Sequence, residues 1–339
     1  MRPSSFIRGL VLAATACGDS DPAGDVVDGA IACDPGVHDL ADPEDAPYRL
    51  LVAGEHVYWT SARLDGPKRV RRAAIATDAV ETVTETPREV GALAVDADGS
   101  AYWVESTPST NAGVVMVARP ASPPQVLYTV PGGLDAFGVA IDDTSVYWIV
   151  HGRGSAFTQT VFHGPKEGGT ASALGSISMP TSDQSIGGMG TDGGFVYWSN
   201  GGSLLSRLAR TGGPATTILD DPDGVGSFVI EDGVVYAIVR DAAASIVRVD
   251  AAATPPARST FDSGHGARWS LALAHGRLFT GTSDDRILSI PVGGGEPIVE
   301  VSEGVRTAGG IAITGRRLYW ANTAISEAGG AVRYMCRAM

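Results

Sequence analysis

The stretches Val57-Tyr58-Trp59-Thr60, Ala101-Tyr102-Trp103-Val104, Val146-Tyr147-Trp148-Ile149, Val196-Tyr197-Trp198-Ser199 and Leu318-Tyr319-Trp320-Ala321 share one pattern: a small or branched apolar residue, Tyr, Trp, then a small or branched residue. Val235-Tyr236-Ala237 and Leu278-Phe279-Thr280 are two weaker copies that fill the gap before the last. Counted at the Trp place, the copies fall at 59, 103, 148, 198, 237, 280 and 320, an average spacing of 43.5 residues. A period of about 40 to 50 residues is that of β-propeller blades, each a four-stranded antiparallel sheet.

The surroundings of the copies repeat too. Ahead of each marker lies a short apolar run and a tight turn, as in Ala92-Leu93-Ala94-Val95 before Asp96-Ala97-Asp98-Gly99, or Phe228-Val229-Ile230 before Glu231-Asp232-Gly233. Asp and Gly tolerate the positive φ that tight hairpins need. After the marker come a variable loop, an alternating strand such as Ser245-Ile246-Val247-Arg248-Val249, and a short fourth strand such as Thr216-Thr217-Ile218-Leu219. Eight residues before the marker, shifted by one in the second copy, stand Leu51, Ala94, Ala140, Gly190, Val229, Ala272 and Ala312. These side chains are mostly small, which suits innermost strands crowded about an axis. The recurring Tyr and Trp are expected to pack between sheets.

The reading is therefore an all-β chain forming a seven-bladed β-propeller of four-stranded antiparallel blades over 47–339, with six or eight blades as alternatives because two markers lack Trp. The last copy ends on its third strand, Ala331 to Cys336, so its outer strand has to come from the residues around Cys33, and a Cys33–Cys336 disulfide is the economical lock for that closure. The 44 Gly and 20 Pro among 339 residues agree with many turns and exclude a coiled coil.

A net charge of -13, with no basic run longer than Lys68-Arg69-Val70-Arg71-Arg72, argues against a nucleic-acid partner. Residues 1–16 read as an export signal, with Arg2 and Arg8 ahead of a short apolar stretch and Ala14-Thr15-Ala16 before Cys17. This resembles a bacterial lipoprotein signal, and the resemblance implies lipid on Cys17. The expected address is the bacterial cell envelope, periplasm or cell surface, with the membrane met only through that lipid. Residues 17–46 are then a tether plus the closing strand.

The marker copies resemble the YWTD-type propeller repeats of lipoprotein-receptor ectodomains and of many exported bacterial proteins. The family's Asp after the triplet is replaced here by Ser61, Glu105, Val150, Asn200 and Asn322, and its receptors have six blades, so its inter-blade Asp network does not carry over. The seven-bladed streptogramin lyase is a similar scaffold, with no match found to its catalytic residues.

No catalytic set is legible. The six histidines form no HxxxH or HxH pair, Asp96-Ala97-Asp98-Gly99-Ser100 reads as a hairpin turn and not a calcium loop, and no GxSxG elbow occurs. No cofactor is expected, while a divalent ion in the central channel stays open. Propeller geometry gathers the loops entering the innermost strands with those following the second strands on one face, which points to Asp135, Gln184, Arg268, Trp269 and Arg306 from the first set. The second set contributes Glu105, His151, Asn200, Arg240, Asp284 and Asn322. Such a mixed ring suits a protein, peptide or glycan partner. The leading expectation is a non-catalytic binding protein. Its alternatives are a lyase or hydrolase with a polar site at the channel mouth and a structural surface lipoprotein.

Overall fold

The computed structural model describes residues 34–62, 66–106, 113–152, 157–179, 188–266, 268–306, 308–323 and 330–337. Seven four-stranded antiparallel sheets make up the chain, with a single 3-10 turn, Pro131–Gly133, among the described residues. In chain order the blades span 47–86, 89–129, 136–179, 188–220, 225–262, 268–301 and 308–336. Sequential strands of a blade are hydrogen-bonded neighbours, and the first strands of successive blades meet around the axis, with blade 7 against blade 1. The fourth strand of blade 7 is the N-terminal strand Val37–Glu44, which pairs with Gly330–Cys336 in the register Val37↔Met335 to Glu44↔Gly330. Cys336 ends that third strand, while Cys17 and Cys33 lie outside the described residues.

The repeat acts through strand alternation. Adjacent residues of a strand face opposite sides, so Tyr and Trp of one marker serve two different interfaces. Tyr58 of blade 1 clusters with Trp103 of blade 2. In the same way Tyr102 meets Trp148, Tyr147 meets Trp198, Phe279 meets Trp320, and Tyr319 of blade 7 closes the ring against Trp59. All five indoles are buried to within 1%. Where blade 5 has Ala237 in the Trp place, Phe228 lies directly opposite it on the inner strand and fills the same core.

The small residues of the inner strands pair without exception with the Tyr or Phe of the marker: Leu51↔Tyr58, Ala94↔Tyr102, Ala140↔Tyr147, Gly190↔Tyr197, Val229↔Tyr236, Ala272↔Phe279 and Ala312↔Tyr319. Six of the seven inner strands also share a β-bulge three or so residues earlier, between Tyr48 and Leu51, Val90 and Leu93, Ala136 and Val139, Val225 and Phe228, Arg268 and Leu271, and Ala308 and Ile311. A bulge bends its strand and sharpens the local twist. At Gly310 in one of these bulges, a Cβ would stand 2.6 Å from Leu50 N of the neighbouring blade, so no larger residue fits.

The face carrying the inner hairpins and the third-to-fourth turns is tied from blade to blade by charge. Lys166 Nζ of blade 3 lies 2.6 Å from Asp96 of blade 2, Arg210 of blade 4 pairs with Asp142 of blade 3, and Arg317 Nη1 of blade 7 lies 2.7 Å from Asp78 of blade 1. Tyr147 and Tyr334 add hydroxyl donors to Asp142 and Asp78, at 2.6 and 2.9 Å. The basic run Lys68 to Arg72 is likewise neutralised by carboxylates of its own sheet and of the closing strand beside it: Arg69 pairs with Glu85 and Asp45, Arg71 with Glu44, and Arg72 with Glu81.

Burial pushes the Asp142 carboxyl up, but the Tyr147 hydroxyl, the Thr144 and Ser145 amides and the Arg210 charge outweigh it and hold the group below the usual carboxylate range. A depressed folded-state value stabilises the fold above that range and is lost as pH falls through and below it. Asp142→Asn should therefore lower stability near neutrality and flatten the acid limb of a denaturation series. An unchanged acid limb would dissociate the carboxylate from that stability. Trp103→Ala should cost about 3 to 5 kcal/mol in denaturant unfolding, because the indole bridges two blades.

Candidate functional site

The opposite face collects the connections from second to third strands and from fourth strands to the next inner strand. Here lie most of the residues singled out in the sequence, and of those that are described several are engaged in holding the propeller together. Glu105, 5% exposed at the end of the second strand of blade 2, accepts hydrogen bonds from Trp103 Nε1 at 3.0 Å and from Thr86 Oγ1 of blade 1 at 3.3 Å. It thus satisfies an indole N–H inside the core and links two blades with one carboxylate.

His151 is buried at the end of the second strand of blade 3, its ring 4.4 Å from that of Phe137 and its Nε2 3.3 Å from Gln159 Nε2. Gln159 Oε1 in turn accepts from Trp198 Nε1 of blade 4 at 2.8 Å. With the amide nitrogen donating, His151 Nε2 is an acceptor and the ring proton sits on Nδ1. Gln159, wholly interior, was missed by sequence reasoning. Its signal was a polar side chain in Thr158-Gln159-Thr160-Val161 on the same strand phase as the buried Val161.

The amide and acidic residues of the loops mostly shape their own turns. Asn200 Oδ1 accepts from Gly202 N and Leu204 N at 3.0 and 2.8 Å. Asn322 spans its connection, with Oδ1 accepting from Arg306 N and Nδ2 donating to Gly304 O, both at 2.8 Å. Gly304 O also receives Trp320 Nε1 and Arg333 Nη1. Asp284 is exposed and bound by Arg286 and Thr282, whose donors hold its carboxyl below the usual range. Arg240 Nη1 donates to Gly201 O of blade 4 at 3.3 Å. Asp135 sits half-buried ahead of the inner strand of blade 3, and the Arg306 side chain is exposed.

Arg268 and Trp269 open the inner strand of blade 6, Trp269 within its bulge. The Trp269 side chain and all of Gln184 lie outside the described residues. The Arg268 side chain is completely shielded and pairs with Asp262, while its Nε and Nη1 have no hydrogen-bond partner. Burial pulls its pKa down against the Asp262 carboxylate. Among the described residues no group of three His, Cys, Asp or Glu side chains is placed to hold a metal ion, and no helix is long and apolar enough to cross a membrane.

No family model matches the chain, and no curated protein matches it in sequence. Solved structures similar to it include an oligogalacturonate lyase in complex with manganese, at 13% identity over 91% of this chain and 94% of that one with a TM-score of 0.66. A puromycin hydrolase matches at 18% identity over 82% of this chain and 50% of its own, with a TM-score of 0.62. The computationally designed Ika8 protein matches at 14% identity over 91% and 99%, with a TM-score of 0.55. At these identities the likeness is one of fold, and with the hydrolase it spans half of the longer protein.

Glu105→Ala should leave the Trp103 N–H unsatisfied in the core and cost about 1 to 3 kcal/mol in denaturant unfolding. Glu105→Gln keeps an acceptor and should recover most of it. Equal losses in both variants would show that the charge, and not the hydrogen bond, is what the site uses.

Proposed function

We propose that this chain is an exported, lipid-anchored propeller that binds a protein, peptide or glycan, without catalysis, across the face formed by the second-to-third and fourth-to-first connections. One observation carries the reading, the contrast between the two faces. On the hairpin face the third-to-fourth turns are nearly uniform, five residues in blade 1 and six in each of blades 2 to 6, from Ala118–Gln125 to Pro291–Ile298. On the other face the connections into inner strands range from two residues between Glu44 and Pro47 to eight between Met179 and Gly188. A scaffold needs sameness, whereas recognition uses loops that differ from blade to blade.

The anchoring part of the proposal rests on Arg2, Arg8 and the Ala-Thr-Ala-Cys sequence ending at Cys17. The strand Val37–Glu44 leaves the antiparallel register beside the Cys336 end of its partner strand, and this supports a Cys33–Cys336 disulfide that locks the ring where tether and propeller meet. The second reading, a lyase, is favoured by the fold likeness to the manganese-bound oligogalacturonate lyase. Such an enzyme would need an ion held at the channel mouth.

Arrays of peptides and of neutral and acidic oligosaccharides, probed with the exported chain, separate these readings. Binding that is lost in Asp284→Lys/Arg306→Glu and kept in the hairpin-face variant Asp232→Lys supports the recognition face. Cleavage of an oligosaccharide to unsaturated products in the presence of manganese would overturn the non-catalytic reading. Cys17→Ser should release the chain from the membrane fraction. Cys336→Ser should lower its thermal stability under oxidising conditions only.

A further inference from the structure

The joint between blades 3 and 4 differs from others in what accepts the buried indole. Trp103 donates to a carboxylate and Trp320 to a main-chain carbonyl. Trp198 Nε1 instead donates across the joint to Gln159 Oε1 at 2.8 Å, and Gln159 Nε2 lies 3.3 Å from His151 Nε2. His151 and Gln159 are register partners on the second and third strands of blade 3. His151 continues the strand phase of Tyr147 and Ile149, which pack with Met189 and Trp198 of blade 4. The three side chains form one relay inside the joint, and all three are buried.

Each link of the relay fixes the next. An indole N–H can only donate, so the Gln159 oxygen faces Trp198 and its amide nitrogen faces His151. His151 Nε2 is then the bare nitrogen. A second proton on the imidazole would set N–H against N–H at that contact. Turning the Gln159 amide over would repair it, but would set the amide N–H against the Trp198 N–H. Either way one buried donor loses its acceptor, and such a group is costly. The relay is complete only while His151 is neutral.

The surroundings set where ionisation falls without removing this conflict. Asp135 directly precedes Ala136, the register partner of Val150, and so stands beside His151 in the sheet, where its carboxylate favours a charged ring. Phe137, its ring 4.4 Å away, and the apolar side chains of the joint disfavour one. The strands Ala136–Ile141, Phe157–Pro165, Gly188–Thr191 and Phe195–Ser199 carry no Asp, Glu, Lys or Arg, and His163 lies opposite Tyr147, toward the other face. Arg153 and Asp183 belong to connections outside the described residues.

We propose that this relay is an acid-sensitive latch: protonation of His151 releases the Gln159–Trp198 hydrogen bond and loosens the joint between blades 3 and 4 at the connection face. In the opened joint the imidazole is free, with a pKa of about 6.5, and it binds the proton that the closed joint refuses. The joint is therefore tightest above that value, and its opening constant rises by up to about tenfold for each pH unit below it. This window lies above that of Asp142, whose carboxyl is held below the usual range. The latch does not depend on what the loop face binds.

The test follows the 15N-labelled exported chain by NMR from about pH 8 to about pH 5, the span in which an imidazole changes charge. At the upper end His151 is expected as the Nδ1–H tautomer. On acidification its ring and the Trp198 indole N–H should titrate together with one midpoint below about 6.5, while the Trp320 indole, held by a carbonyl, stays still. Gln159→Glu offers an oxygen to each neighbour, so it should raise the His151 midpoint by at least about one unit and uncouple Trp198 from it. His151→Phe should abolish the Trp198 response and flatten the fall of the urea midpoint over the same span. The tautomer and the shared midpoint are read in the unsubstituted chain, so neither depends on a variant folding. An Nε2–H tautomer, a ring that stays neutral throughout, a Trp198 signal indifferent to His151 ionisation, a response that survives in His151→Phe, or an unraised midpoint in Gln159→Glu would each overturn the proposal.

Discussion

The packing of a tyrosine from one blade against the tryptophan of the next is the contact on which the whole ring rests. It follows from the geometry of a single dipeptide: neighbours on a strand face opposite ways, so Tyr-Trp sends one ring forward and one back. Each such blade is thereby tied to both of its neighbours, and five of the seven interfaces receive one marker ring from each side, while Ala237 and Thr280 stand in the Trp place at the other two. A register slip by one residue would turn both rings to the wrong face and break two interfaces at once. Closure between Tyr319 and Trp59 uses the same contact as the internal joints, with the N-terminal strand completing blade 7. The first and last blades are therefore held as the others are, and the ring has no free end.

Around this aromatic layer lie two polar ones of different character. On the hairpin face, Lys166, Arg210 and Arg317 reach across to Asp96, Asp142 and Asp78, giving each of these joints a charge clamp over its aromatic core. On the connection face, Glu105 and Gln159 accept from the indole N–H groups of Trp103 and Trp198, and the Gly304 carbonyl accepts from that of Trp320. A buried indole usually finds such an acceptor, and for Trp103 it is Glu105, a residue that a sequence reading takes for part of a ligand ring. The same polar atoms cannot be both fully used in the scaffold and free for a ligand. That competition moves attention to the exposed Asp284 and Arg306 and to the incompletely paired Arg268.

Blade number, the aromatic interfaces, the small inner-strand residues and the borrowed closing strand were legible in the sequence because each is a periodic consequence of composition at a fixed spacing. The inner-strand bulges were not, although Gly91, Gly138, Gly226 and Gly309-Gly310 mark four of the six. A bulge is a property of two strands in register, and one strand read alone shows only a glycine. The roles of the loop residues were harder still. Asn200 as a turn brace and Asn322 as a loop brace look the same in sequence as ligand-binding amides, because what distinguishes them is the partner, and the partner is set by backbone shape. Arg268 was legible as a charge at the head of an inner strand, but its missing partners were visible only once Asp262 and Thr282 had been placed around it.

The charge balance of the chain bears on what such a propeller can hold. Its 38 acidic residues outnumber 25 basic ones, and the arginines are largely spent on carboxylates within the fold, as at Arg69, Arg210, Arg317 and Arg333. The surplus is negative and resides on the surface, so an approaching anion meets repulsion that salt screens only beyond about 8 Å at physiological ionic strength. A guanidinium stays protonated under any ordinary condition, and Arg268 beside Asp262 offers hydrogen-bond donors with little net charge.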